Sequence, residues 1–264
     1  MTPVELVVNV FERSYREVLV PGFFPTLAHQ ARRRFERRTV LVNNVEDAGD
    51  ALARARALVD AGEVDAVHRV ADRLDDALAA TGLRREDLGR IPHYSDCALT
   101  AVTLPGPPYL VYWDADVTLE TPCNWIDPSL ALLGRDREVL VASPAWPGFA
   151  HRGDGAFAFD HGFSDQLFLV ERARLARPVY RHRCLATLRY PMTHIAWIFE
   201  ARVDAYMRCT GKRRAIYQEA RYTHPVRTRA LPPTTSAERW RRRRDRALRR
   251  LARWIPGDDP RWRE

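Results

Sequence analysis

Lysine is nearly absent: Lys212 is the only one among 42 basic residues. Such an arginine bias reflects genome composition more than chemistry. No apolar run approaches the ~20 residues a helix needs to cross a bilayer, so no membrane-spanning helix is expected. The chain enters a strand-like stretch by Val4, with neither a basic segment nor a cleavage site ahead of it, so no secretory signal is expected. The four cysteines, Cys97, Cys123, Cys184 and Cys209, are far apart and form no Cys-x-x-Cys pair. That spacing argues against a zinc ribbon or a disulfide frame and for reduced thiols in a cytoplasmic protein. No Gly-x-Gly-x-x-Gly follows the first strand-like run, and no Gly-x-x-x-x-Gly-Lys occurs anywhere. The usual dinucleotide fingerprint and the P-loop are therefore both missing.

What is present is a chain of 264 residues, 46% hydrophobic, enough for one large domain or two small ones. Strand-like runs at residues 4–11, 39–43, 64–70, 109–113 and 139–143 alternate with helix-like runs at 21–37, 51–61, 72–81, 94–103 and 124–133. Strands and helices in alternation predict βαβ units and a mostly parallel sheet flanked by helices. Residues 148–162, rich in glycine, predict a long loop of the kind that covers a site. Residues 195–210 predict a helix ended by Gly211, and 215–217 a short strand.

The centre of the pattern is residues 109–117, Tyr-Leu-Val-Tyr-Trp-Asp-Ala-Asp-Val. A β-branched and aromatic run ends abruptly in two carboxylates, Asp114 and Asp116. At a strand's end, period-2 geometry sends both to one side, where they repel each other or share a cation. Carboxylate oxygens suit Mg²⁺ or Mn²⁺ and leave coordination positions open for phosphate oxygens. Asp-x-Asp triplets also arise by chance in a chain with 34 acids, as solvated loop residues. The order of the other parts has to decide between these readings.

That order resembles the GT-A fold of nucleotide-sugar glycosyltransferases, in particular the inverting family-two-like group, over roughly residues 4–226. The match rests on the strand ending in Trp-Asp-Ala-Asp-Val, the helix-like Ala98-Leu99-Thr100-Ala101 before it, and three later features. These are the acidic helix from Trp197 to Gly211, a short strand, and His224. Phe199-Glu200 stands where the family carries an acidic pair. The resemblance implies an α/β, Rossmann-like domain over residues 1–236 and transfer of a sugar from a nucleotide-sugar donor to a hydroxyl acceptor, with inversion. It further implies Asp114, Asp116 and His224 as ligands of a divalent Mg²⁺ or Mn²⁺, with Asp114 also touching the nucleotide. Val10, Phe11, Glu12, Asn44, Asp72 and Asp96 are the expected nucleotide contacts. Glu200 is the first candidate for general base, Asp165 the second and Asp204, one helical turn after Glu200, the third.

Each of these has an ordinary alternative reading. His224 precedes a proline and suits a loop, Glu200 suits a solvated helix face, and Asn44 suits a turn. Asp96 suits a helix N-terminus, and Trp113 suits the core. A sugar-phosphate nucleotidyltransferase is the rival enzyme, but the glycine-rich loop of that class is missing from Asn9 to Ser14. A non-catalytic scaffold with the same fold is the other rival.

Residues 237–264 form a second unit. The segment 239–264 holds eleven Arg against four acids, and so supplies +7 of the chain's net charge of +8. Within 237–255, Trp240, Ala247, Leu248, Leu251, Trp254 and Ile255 fall on one helical stripe. Such a basic amphipathic helix docks on its own body or on a second copy in a homo-oligomer, or lies peripherally on the inner face of an anionic membrane. The membrane reading suits a lipid-linked acceptor, while glycan and small-molecule acceptors stay open. Nucleic acid is not expected, because no recognised nucleic-acid module accompanies the arginines.

Overall fold

Strand β1 (Val4–Val10) is buried along its whole length, and its alternate side chains feed two different cores. Leu6, Val8 and Val10 enter one and Val7 enters the other, as a period of two requires. The computed structural model describes residues 2–146, 148–150, 154–190, 192–224 and 232–252. After β1 come α1 (Tyr15–Val18), α2 (Phe23–Gln30), β2 (Arg37–Val42), α3 (Ala48–Asp60), β3 (Ala66–Arg69), α4 (Val70–Thr81) and α5 (Asp96–Thr103). The middle of the chain gives β4 (Tyr109–Asp114), β5 (Thr118–Leu119), α6 (Ile126–Arg135) and β6 (Val139–Ala145). The last part gives β7 (Phe157–Asp160), β8 (Leu167–Glu171), α7 (Arg172–Leu175), α8 (Phe199–Thr210), β9 (Arg213–Thr223) and α9 (Ser236–Ala252).

The sheet runs β3-β2-β1-β4-β8-β6-β9-β5, with β7 added on β9. It is parallel through β3, β2, β1 and β4. Beyond β4 it is mixed, because β8 runs antiparallel to both β4 and β6. Helices α2, α3 and α6 cover one face through Phe24, Leu27, Ala55, Leu58, Ile126 and Leu133. Helices α4, α5 and α8 cover the other through Leu74, Leu78, Leu99, Val102, Phe199 and Val203. Burial of each such large side chain is worth about 1.5–3 kcal/mol, so two cores, one on each face, hold the sheet in place.

At the rim where the parallel strands start, Glu5 is buried, yet its carboxylate is fully engaged. It accepts from Thr39 Oγ1 at 2.5 Å and pairs with the Arg172 guanidinium. All four cysteines are free. No helix among the described residues is long and apolar enough to cross a membrane.

Three expectations change. The helix expected over 21–37 stops at Gln30, because Arg32 turns into positive φ at 46° and Arg33 swings inward to donate to Thr2 O at 2.6 Å. The loop expected over 148–162 contains β7, which exists by pairing with β9 from Phe157↔Tyr217 to Asp160↔Arg214; residues 151–153 lie outside the described residues. The short strand expected at 215–217 lies in the first half of the 11-residue β9.

Candidate functional site

The register of the sheet assembles the site. β1 and β4 pair in parallel with Asn9 opposite Asp114, so Asn9 Nδ2 donates to Asp114 Oδ1 at 3.2 Å. Past Asp114 the chain turns sharply. Val117 N bonds to Asp114 O at 3.0 Å, Ala115 N to Asn9 O at 3.2 Å, and Trp113 Nε1 to Val117 O at 2.9 Å. Trp113 is therefore a core residue that staples the turn, with no exposed ring to offer a sugar. Antiparallel pairing sets Thr118 opposite Thr223, which brings His224, one residue past β9, beside Asp116.

Asp114, Asp116 and His224 each offer one ligand atom, and these atoms lie within 4.8 Å of one another. His224 Nε2 is 3.2 Å from Asp116 Oδ1. That oxygen is buried and makes no hydrogen bond, so the contact lacks hydrogen-bond geometry. Asp114 is pushed up to about 8 by burial first, then by the negative charges of Asp165 and Asp116. A desolvated carboxylate, a second one with an orphaned buried oxygen and an imidazole nitrogen at this spacing fit a small divalent cation with oxygen and nitrogen preference.

Asp165 arrives beside this cluster because β8 pairs antiparallel with β4: Asp114 N donates to Gln166 O at 2.8 Å. Glu200 arrives on the first turn of α8, whose start is fixed by Phe199 N donating to Ser95 Oγ at 3.0 Å. Asp165 N donates to Glu200 Oε1 at 3.2 Å. Burial raises both acids. The nearby Glu200 charge pushes Asp165 further up, while hydrogen bonds from Asp165 and Ser164 and the positive charge of Arg214 restrain Glu200. The two carboxyls therefore titrate as one coupled pair, with Asp165 pushed up by the Glu200 charge and Glu200 restrained by its hydrogen bonds and by Arg214. Asp204 is elsewhere: it is fully buried and paired with Arg208 at 2.9 Å within α8, a structural ion pair.

The expected nucleotide contacts are spread along the same rim. Asp96 is buried at the N-terminus of α5 and accepts from Asn43 Nδ2 at 2.8 Å; burial pushes its carboxyl up. Val10 has its side chain in the core. Phe11 is half-buried, and its carbonyl accepts from Ser14 N at 2.9 Å. Glu12 accepts from Glu46 N at 2.8 Å and so ties the β1 loop to the β2 loop. Asn44 is exposed with φ of 48°, and Asp72 is exposed in the first turn of α4.

Asn9, Asn43 and Arg214 were not among the expected site residues. The signal for the first two was a polar residue inside or just after an apolar β-branched run. Arg214 is 1% exposed and stacks on Trp146 with its guanidinium carbon 4.0 Å from the ring centroid. Its Nε and Nη2 have no hydrogen-bond partner. Burial pulls it down to about 10, and its charge acts on Glu200.

The parallel half-sheet joined to a mixed second half, flanked by helices, has the GT-A fold. The particular likeness is to the crystal structure of GalNAc-T7 with UDP, GalNAc and Mn²⁺, at 13% identity and a TM-score of 0.54 over 97% of this chain. The chain spans about half of that protein, 53% of its length. Glucosyl-3-phosphoglycerate synthase from Mycobacterium tuberculosis, with Mg²⁺ and UDP, aligns at 12% identity and a TM-score of 0.47, over 86% of this chain and 73% of that one. No protein-family model and no curated protein matches the sequence.

Proposed function

We propose that this chain is a metal-dependent glycosyltransferase that moves a sugar from a nucleoside-diphosphate sugar to a hydroxyl acceptor. The observation that carries the reading is the convergence of Asp114, Asp116 and His224 within 4.8 Å at the sheet's rim, with a buried Asp116 oxygen that accepts no hydrogen bond. Those three residues would hold Mn²⁺ or Mg²⁺. The bound cation supplies positive charge against the diphosphate that departs. Asn9 fixes the orientation of Asp114. Asn43, Asp96 and the loops after β1 and β2 line the part of the rim where a nucleoside fits, at the carboxyl ends of parallel strands.

Glu200 acts as the base that removes the acceptor hydroxyl's proton. The Glu200 charge pushes Asp165 up, while hydrogen bonds from Asp165 and Ser164 and the Arg214 charge favour the ionised form of Glu200. A single displacement of this kind inverts the anomeric configuration. The acceptor is a hydroxyl compound, and a lipid-linked one suits the arginine-rich helix α9.

The reading is tested by melting the protein with a panel of nucleoside diphosphates, each with and without Mn²⁺. One nucleotide is expected to raise the midpoint only when the metal is present, as ligand linkage requires. If no nucleotide shifts the midpoint under either condition, the enzyme reading fails.

A further inference from the structure

Helix α9 is bound to the body by its acids, which is the reverse of what its sequence leads one to expect. Its two carboxylates within 236–252, Glu238 and Asp245, are 5% and 1% exposed. Glu238 closes a capping box with Thr235, Glu238 N donating to Thr235 Oγ1 at 3.1 Å. It also lies 3.5 Å from Arg90 Nε. Asp245 accepts from Thr193 Oγ1 at 3.2 Å. The helix packs against the 3₁₀ turn Leu185–Arg189, and Thr193 belongs to the segment that leads into α8.

With both acids turned inward, the outward side is cationic. Arg239, Arg243, Arg246 and Arg250 recur at spacings of four, three and four residues, on one face. All four are exposed, and the last three face no carboxylate within salt-bridge distance among the described residues. Trp240, 60% exposed, and Ala247 border this face. Of the docking modes the stripe left open, burial of Trp240 and Ala247 against the body is not what the described residues show. Trp254 and Ile255 lie outside the described residues, as does the side chain of Leu251.

We infer that the outward face of α9 is a docking surface for an anionic phospholipid bilayer. Charge complementarity selects the partner: a continuous row of guanidinium groups answers a plane of phosphate and carboxylate headgroups. The exposed indole beside it selects a bilayer over a nucleic acid, because tryptophan settles at the headgroup boundary and the helix brings no base-reading element. This surface is separate from the donor site. It would hold the segment that enters α8, and with it Glu200, close to a lipid-borne acceptor.

The test is cosedimentation of the full chain with vesicles of phosphatidylcholine alone or with about one-third phosphatidylserine. At ~0.15 M salt, binding to the anionic vesicles is expected to exceed binding to the neutral ones by ~tenfold, and to collapse at ~1 M salt. The triple variant Arg243→Glu, Arg246→Glu and Arg250→Glu should lose that preference. Its melting midpoint and its Mn²⁺-dependent nucleotide binding should be unchanged, so a failure here leaves the donor-site reading standing. Equal or absent binding to the two vesicles overturns the inference. So does an RNA duplex that strips the protein from anionic vesicles.

Discussion

Asp114 and Glu200 are both buried carboxylates, but their surroundings assign them different chemistry. Asp114 is raised to about 8 with the Asn9 hydrogen bond and the His224 charge acting against that rise, so a bound cation would supply the compensation still missing. A carboxyl raised on folding stabilises the folded state less as pH climbs, because the unfolded chain gives up its proton first. Without metal, Asp114 should therefore erode stability from about pH 4 up to about pH 8. Metal binding needs the same proton removed. The rise in melting midpoint caused by Mn²⁺ should grow across that window and level off above about pH 8. A rise that is flat with pH would show that Asp114 does not bind the metal. Glu200, restrained by Arg214 and Asp165, should behave as a base. Glu200→Gln should leave metal-dependent nucleotide binding intact and slow transfer by ~10²–10⁴, measured as nucleoside diphosphate release. Unchanged turnover would move the role to Asp165. At this scale the sequence was most informative where a carboxylate ended an apolar run. It was silent on Arg214, whose meaning depends on Trp146 and on a sheet register that brings β9 under α8.

Among the elements, the parallel half of the sheet was legible because β-branched runs and amphipathic helices alternate with their own periods. β7 was not legible: its four residues, Phe-Ala-Phe-Asp, become a strand only through the β9 ladder. The outer half of β9 alternates buried and exposed from Gln218 to Thr223, a readable pattern obscured by its charged residues. The start of α9 was legible in principle, since Thr235 and Glu238 have capping-box spacing. Helix α8 shows a different device. Arg202, 1% exposed, donates to Trp197 O at 2.6 Å, to Tyr180 O at 2.9 Å and to Asp87 O. One guanidinium thus moors the helix that carries Glu200 to two distant loops. Arg202→Ala should strand three carbonyls and cost roughly 3 kcal/mol or more in urea unfolding. A loss below about 1 kcal/mol would show that the loops hold without it. Gly89 belongs to the same junction: its φ is 67°, and a Cβ there would lie 2.6 Å from Ile195 O.

Over the whole molecule, charge is distributed unequally between the two rims of the sheet. At the starting rim Glu5 is neutralised by Arg172 and accepts a hydrogen bond from Thr39. At the other, Asp114, Asp116, Asp165 and Glu200, four acids, gather with His224 and the buried Arg214. The first arrangement stabilises the fold, and the second leaves a deficit that a ligand has to fill. His224 and Asp116 are far apart in the chain, and no local pattern links them. The β5–β9 ladder brings them together, so this part of the site was legible only through resemblance to a known order of elements. The central claim is that this rim grips a cation which in turn grips a diphosphate. Calorimetric titration of the stabilising nucleoside diphosphate into wild type and Asp116→Ala, each with and without Mn²⁺, tests it most directly. The account predicts that Mn²⁺ tightens wild-type binding by ~tenfold or more, about 1.4 kcal/mol, and that Asp116→Ala abolishes the gain. Equal tightening by Mn²⁺ in both proteins would contradict it.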